Sequence, residues 1–308
     1  MRDHIGDFIE FMLNRIQQIG VVCALKKLKH TLFPASDAKN ICARNGAFEY
    51  LQRYAYAAKN KSKETQIKPG RKVIWTCWLQ GIENAPKLVQ KCVASMRQYS
   101  NGYDVIVIDN ENVSNYVQLP DYIQAKYAKG IIPHAHYSDI IRLFLLQKYG
   151  GVWIDSTILL TGTLPDYITD AELFVFRGYR VGQTFIYNPF LAAQPNHPII
   201  HSLLNLLLEY WKKENKLVSY SIFHLCFTMA VEASNENRAL WEQVPFSYGS
   251  QMFYLQPQLG KPYSEQAYQL ATQLSSIHKL TYKFEQFGID INKKGTFYDV
   301  LINGNKPC

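Results

Sequence analysis

The sequence predicts an α/β fold, a Rossmann-like sheet flanked by helices, preceded by a helical N-terminal extension. Three observations in succession predict the sheet. Lys72 to Leu79 (KVIWTCWL) is an apolar run of strand length. Pro86 then opens a helical pattern to about Tyr99, with Leu88, Val89, Cys92, Val93 and Met96 on one face. After the Asn101-Gly102 turn, Tyr103 to Asp109 (YDVIVID) reads as a second strand. A strand, a crossover helix and a second buried strand make the opening of a parallel sheet.

The segment before the sheet is helical in pattern. Ile5, Phe8, Ile9, Met12, Leu13, Ile16 and Ile19 recur at three- and four-residue intervals, which gives one apolar face. Beside it stands a basic cluster, Lys26, Lys27 and Lys29. Such a helix could lie on an anionic membrane or simply pack on the main domain. Residues from about Ala57 to Gly70 are polar, carry Lys59, Lys61, Lys63 and Lys68, and end in Pro69-Gly70. That is a boundary signal, dividing an extension and basic linker (1–70) from a main domain (71–308). Later come strands at Glu172 to Phe176 and Thr184 to Tyr187, then helices from Pro198 to about Lys213 and from about Ser219 to Ala233. The tail from Gln251 reads as loop-rich.

Composition bounds the partners. With 47% hydrophobic and 19% charged residues over 308 positions, the chain is globular and not disordered. A net charge of +8 suits an anionic partner, such as a nucleoside diphosphate or an acidic membrane surface. No nucleic-acid motif accompanies it, so nucleic acid is not expected. Cys23, Cys42, Cys77, Cys92, Cys226 and Cys308 form no CxxC pair or zinc spacing and read as free thiols in a reducing compartment. Asp3, Asp7 and Glu10 interrupt any signal-peptide core. No run approaches the ~20 apolar residues of a membrane span. The expected location is the cytoplasm, at most resting on the inner face of a membrane. Gln80-Gly81-Ile82-Glu83-Asn84 follows the first strand where a dinucleotide enzyme would carry G-x-G-x-x-G. A P-loop is absent too, so both enzyme classes are disfavoured.

The most informative stretch is Pro133 to Thr157, PHAHYSDIIRLFLLQKYGGVWIDST. Ser138 is a good N-cap for a helix through Tyr149 that stops at Gly150-Gly151, after which Val152-Trp153-Ile154 leads to Asp155. From Asp139 the helix rises about 16 Å at ~1.5 Å per residue. The strand returns a similar distance at ~3.3 Å per residue. Asp155 therefore comes back level with Asp139 and Arg142, which share a helix face. Two carboxylates, a guanidinium and a helix N-terminus would meet at the carboxyl edge of the sheet, where open α/β sheets bind ligands. Arginine and the helix end favour phosphate; the carboxylates suit a divalent cation or sugar hydroxyls. Taken singly, each residue has a plainer role: a first-turn acid, its ion-pair partner, a turn aspartate.

The run S-D-I-I-R-L-x-L-L-x-K-Y-G-G-V-W-I-D-S-T resembles the bacterial capsular polysaccharide synthesis glycosyltransferases, relatives of the DXD-type fungal mannosyltransferases and clostridial glucosylating toxins. The resemblance implies a GT-A type fold with a mixed sheet and transfer of a sugar, usually with retention, from a nucleotide sugar. It implies a UDP-sugar as donor and an oligosaccharide, lipid-linked or not, as acceptor. By position, Ser138, Asp139 and Arg142 would hold the donor sugar and diphosphate, and Asp155 the metal–diphosphate. Trp78 would stack on uracil. Asp139, Arg142 and Asp155 are the expected catalytic set. The second aspartate of DXD is replaced by Thr157, so a divalent Mn or Mg ion would be weakly held or dispensable. Ile277 to Lys283 (IHKLTYK) is the candidate supplement, with His278 joining Asp155 and Thr157 at the metal and Lys279 and Lys283 neutralising the leaving diphosphate. Acceptor contacts could come from Asn188 or His224. Two other readings stay open: a metal-dependent hydrolase using His134, His136 and Asp139, and a non-catalytic polysaccharide-binding protein on a transferase fold.

Overall fold

The computed structural model describes residues 45–59, 70, 72–178 and 185–305. The apolar helix expected over Ile5 to Ile19 and the Lys26–Lys29 cluster lie outside these residues, as do Cys23, Cys42 and Cys308.

The expected β-α-β opening is present, with trimmed ends. Strand β1 spans Val73–Cys77, helix α1 Lys87–Gln98 after Pro86, and strand β2 Asp104–Ile108. Helix α2 (Asp121–Ala128) and helix α3 (His134–Tyr149) follow, then strand β3 (Gly151–Ile154) and the short β4 (Ile158–Leu160). Strands β5 (Leu173–Gly178) and β6 (Phe185–Ala193) complete a five-stranded sheet in the order β2-β1-β3-β6-β5. The sheet is mixed: β1 runs parallel to β2 and β3, whereas β6 runs antiparallel to β3 and β5.

Strand alternation divides the core into two layers. Val73, Trp75 and Trp153 face one side, with α3, helix α4 (Pro198–Lys213) and helix α5 (Ile222–Glu232). Ile74, Val152 and Ile154 face the other, where Met96, Ile158, Leu160 and Ile277 cover them. Burial on both faces explains why β1 reads as a continuous apolar run.

Two expectations about strands and tail are corrected. The strand expected to end at Tyr187 continues to Ala193, through Asn188-Pro189, because the irregularity is absorbed by a bulge. Val175 pairs with Leu191 while the next residue, Phe176, pairs with Tyr187, leaving Asn188, Pro189 and Phe190 without partners on β5. Proline is tolerated at such a bulge. The tail is also more regular than expected. Ser264 caps helix α6 (Glu265–Leu274), and strand β7 (Ile277–Lys279) pairs antiparallel with β4.

The end of the extension is packed rather than solvated. Helical residues 45–58 bury Ala47, Leu51, Ala57 and Ala58, so the helix runs into the start of the polar stretch expected from about Ala57. The hydroxyls of Tyr50 and Tyr54 both donate to Glu214, just beyond α4, and Ser202 donates to the Ala58 carbonyl at 2.8 Å.

Candidate functional site

The site grows from the α3–β3 corner. Gly150 and Gly151 make the turn at φ of 67° and 97°, a region open to glycine, and Trp75 Nε1 donates to the Gly150 carbonyl at 2.9 Å. As the length comparison requires, Asp155 returns to the level of Asp139 and Arg142. Arg142 reaches Asp139 Oδ1 through Nη1 at 2.9 Å and Asp155 Oδ1 through Nη2 at 3.1 Å. Trp153, two residues before Asp155 on the same strand face, donates from Nε1 to Asp155 Oδ1 at 2.9 Å. The Arg142 guanidinium also lies over the Trp153 ring, 4.7 Å from its centroid, so its position is fixed from three directions.

The helix N-terminus is not part of this cluster. Helix α3 begins at His134 behind Pro133, a full turn earlier than the Ser138 cap predicts, and no side chain caps it. Asp139 and Arg142 therefore project from the second and third turns. Tyr127 and Tyr137 stack at 3.7 Å between ring centroids; this tertiary contact supports the added turn.

Beyond Asp155 the chain turns through Ser156 and Thr157, closed by Ile158 N donating to the Asp155 carbonyl at 2.8 Å. Asp155 N donates to the Pro189 carbonyl at 2.8 Å, and Asn188 Nδ2 to Asp139 Oδ1 at 3.4 Å. The bulge of β6 thus aims at the same corner. On the other side, β7 lays Lys279 opposite Ile158, and Leu280 N donates to the Thr157 carbonyl at 2.9 Å. Lys279 Nζ reaches Asp155 Oδ2 at 3.4 Å and donates to Thr157 Oγ1.

His278, the expected metal ligand, is elsewhere. Neighbouring residues on a strand face opposite ways; with Lys279 at Asp155, His278 turns inward. It is fully buried, its Nε2 lies 3.0 Å from Thr161 Oγ1, and it does not line the cleft. Lys283 lines the cleft at an exposed position.

These groups form one wall of a cleft of about 740 Å³ at the carboxyl ends of β1 and β3. Trp78, directly after β1, lines it with its ring edge-to-face with Tyr282 at 5.5 Å. Ser138, Asn188 and His224 line it as well, as do Tyr220 and Phe223, which sequence reasoning did not single out. Tyr220 is 76% exposed and meets the His136 ring at 5.7 Å. Its only sequence signal is an aromatic at the start of an apolar helix, the signature of a core residue too. A smaller cavity of about 310 Å³, beside Lys72 and Asp166 at the opposite end of the sheet, contains no comparable ion-pair cluster among the described residues.

Burial sets the charge states. It raises the Asp139 carboxyl to about 6, against the lowering effect of Arg142. It holds His136, His197 and His278 down at about 4. His136 is therefore neutral near pH 7, and its 3.6 Å approach to Asp139 is not an ion pair. Between about pH 4 and 6.5 the unfolded chain binds more protons at these histidines than the folded one, so stability rises with pH. Asp139 acts oppositely from about pH 4 to 6, because the folded state retains its proton longer. Three histidines at up to roughly 3 kcal/mol each outweigh one carboxyl. Thermal melts should show a higher Tm at pH 7 than at pH 4.5; the reverse order would mean the histidines are not buried neutral.

The residues expected to take a metal do not fit one in this arrangement. Asp155 Oδ1 accepts from two donors, Oδ2 faces Lys279, and Thr157 Oγ1 accepts from Lys279. Among the described residues, no three His, Cys, Asp or Glu side chains gather to hold an ion. Of the hydrolase set, His136 Nδ1 lies 3.6 Å from Asp139 Oδ2, whereas His134 Nδ1 lies 2.8 Å from the Tyr127 hydroxyl, and among the described residues the three do not gather around a metal position.

Fold and site together define an α/β protein whose acid–arginine–lysine cluster stands in a cleft at the carboxyl edge of a mixed sheet. Residues 37–301 match the capsular polysaccharide synthesis protein family. The chain belongs to that family. It is similar to the O-glycosyltransferase braB of Annulohypoxylon truncatum, 29% identical over 158 residues (46% of this chain, 38% of braB). It is also similar to the glycosyltransferase afumC of Aspergillus fumigatus, 30% identical over 158 residues (45% and 38%). A third relative, the O-glycosyltransferase PaGT of Phomopsis amygdali, is 23% identical over 224 residues (63% and 55%). The matches span less than two thirds of the length of these curated relatives. Among solved structures, the PaToxG glycosyltransferase aligns with a TM-score of 0.43 at 19% identity, over 86% of this chain and 95% of that one.

Proposed function

We propose that the protein is a glycosyltransferase that moves a sugar from a nucleotide-sugar donor, a UDP-sugar, to a hydroxyl of an oligosaccharide acceptor in capsular or surface polysaccharide synthesis. The observation that carries this reading is the Asp139–Arg142–Asp155–Lys279 cluster in the cleft at the carboxyl ends of β1 and β3. Two cations held by two carboxylates suit a diphosphate, whose leaving charge is the main electrostatic demand of the reaction. Trp78 offers an aromatic surface at the strand end for the base. Asp139, with Asn188 beside it, offers acceptors for sugar hydroxyls.

In the reaction the acceptor oxygen bonds to the anomeric carbon. The bond to the diphosphate breaks with its electron pair left on phosphate, and the acceptor proton passes to that departing phosphate. This retaining course needs no protein nucleophile, and none is assigned. The acceptor is lipid-linked or free; a net charge of +8 favours work beside an anionic membrane. Among the described residues no helix is long and apolar enough to cross one.

The test is slow hydrolysis across UDP-, GDP- and CMP-sugars, with UDP release expected. In calorimetric titration, Trp78→Ala should weaken UDP binding about 10-fold, the worth of one base–aromatic stack. Asp139→Ala should lower binding of the intact UDP-sugar. If His134→Ala abolishes UDP binding while those two variants retain it, the reading fails.

A further inference from the structure

Asp155 and Thr157 face a cation that the chain supplies itself. We propose that Lys279 is the resident cation of this site, so that the transfer proceeds without a divalent metal; the inference rests on the transferase reading. Three observations carry it. The Lys279 ammonium contacts both residues of the Asp-x-Thr motif, Asp155 through Oδ2 and Thr157 through Oγ1. Its backbone is fixed there by the Ile158–Lys279 register and the Leu280-to-Thr157 hydrogen bond, and its side chain is only 20% exposed. The remaining Asp155 oxygen is occupied by Arg142 and Trp153.

Charge makes the exchange consistent. Two aspartates and a divalent ion sum to zero. One aspartate, one threonine and one lysine also sum to zero. Replacing the second acid by Thr157 removes one negative charge, and using an ammonium in place of the ion removes one positive charge. A metal would need the Asp155 and Thr157 lone pairs at ~2.0–2.6 Å, and the ammonium faces those same two oxygens.

An ammonium has three donors. Two are used by Asp155 and Thr157, and the third is available to a phosphate oxygen. As the bond between anomeric carbon and phosphate oxygen breaks, the electron pair remains on the diphosphate, and Lys279 and Arg142 stabilise it. The acceptor oxygen forms the new bond to carbon, and its proton leaves with the diphosphate.

Mn²⁺ alone, titrated into the wild-type protein and followed by electron paramagnetic resonance, should show no site tighter than about 1 mM. Lys279→Ala should open one, which the added change Asp155→Asn removes. Donor hydrolysis in excess chelator should stay within about 2-fold of its rate with Mn²⁺. Lys279→Met should lose roughly 100-fold and Lys279→Arg distinctly less, since the charge is kept. A tight wild-type Mn²⁺ site lost in Asp155→Asn overturns the proposal, as does a chelator loss of 10-fold or more that Mn²⁺ restores. Failure of wild type to turn over any donor, with or without Mn²⁺, overturns the transferase reading instead; the Mn²⁺ titration judges Lys279 separately.

Discussion

Asp155→Asn is expected to lower kcat/KM for donor turnover by roughly 100- to 1,000-fold. The aspartate is the one group that touches both cations of the cluster, Arg142 at 3.1 Å and Lys279 at 3.4 Å. Asparagine keeps a carbonyl oxygen for Arg142 and Trp153 but presents an amide donor to the Lys279 ammonium. Donor then faces donor, and Lys279 keeps only Thr157 as a side-chain partner. Arg142, with 4% of its side chain exposed, keeps Asp139 as a partner. The structural cost is therefore moderate, about 2–3 kcal/mol, below the full cost of breaking a buried pair. Turnover and thermal melting should separate: the variant melts a few degrees lower as a folded protein while transfer collapses. Near-normal transfer would refute the site as drawn.

Gly151→Ala should show the opposite balance, with a loss of stability of roughly 3–5 kcal/mol. A Cβ at Gly151 would fall 2.6 Å from both the Val73 carbonyl oxygen and Val73 Cγ1, on a backbone with φ of 97°. Neither obstacle can move cheaply, because Val73 is buried on β1, which is held between β2 and β3. Gly102 provides the comparison. Its φ is 83°, yet nothing lies within 4 Å of a Cβ there, so Gly102→Ala should cost only about 1 kcal/mol. Urea unfolding measures both. Equal midpoints for the two variants would mean that β3 does not pack against β1 as described.

Much of this corner is legible in sequence because it is local. The Gly150-Gly151 stop, the helix before it and the short strand after it are set by turn chemistry and by the two periods of backbone geometry. Comparing their lengths is enough to bring Asp155 to Arg142. The helix start is less legible: Ser138 signals one, but the helix begins at His134, and Tyr137 in the added turn stacks on Tyr127, a contact distant enough to escape local reading. The strand through Asn188-Pro189 is hidden because its bulge depends on what β5 pairs with. His278 and Lys279 show the same limit most sharply. Strand β7 has three residues, too few for a periodic signal, and its register is set by β4. A slip of one residue would exchange which of the two faces Asp155. Tyr220 and Phe223 are hidden for another reason: aromatic residues around an apolar helix look alike whether they face a core or a cleft.

The pairing of β4 with β7 also orders events during synthesis. Asp155 and Lys279 are separated by 124 positions in the chain, so at ~5–20 residues per second the carboxylate waits several seconds on the ribosome for its lysine. Until then the sheet edge holds an acid with only half its positive complement, a poor receptor for an anion. The cluster is thus completed only when β7 is made and pairs with β4.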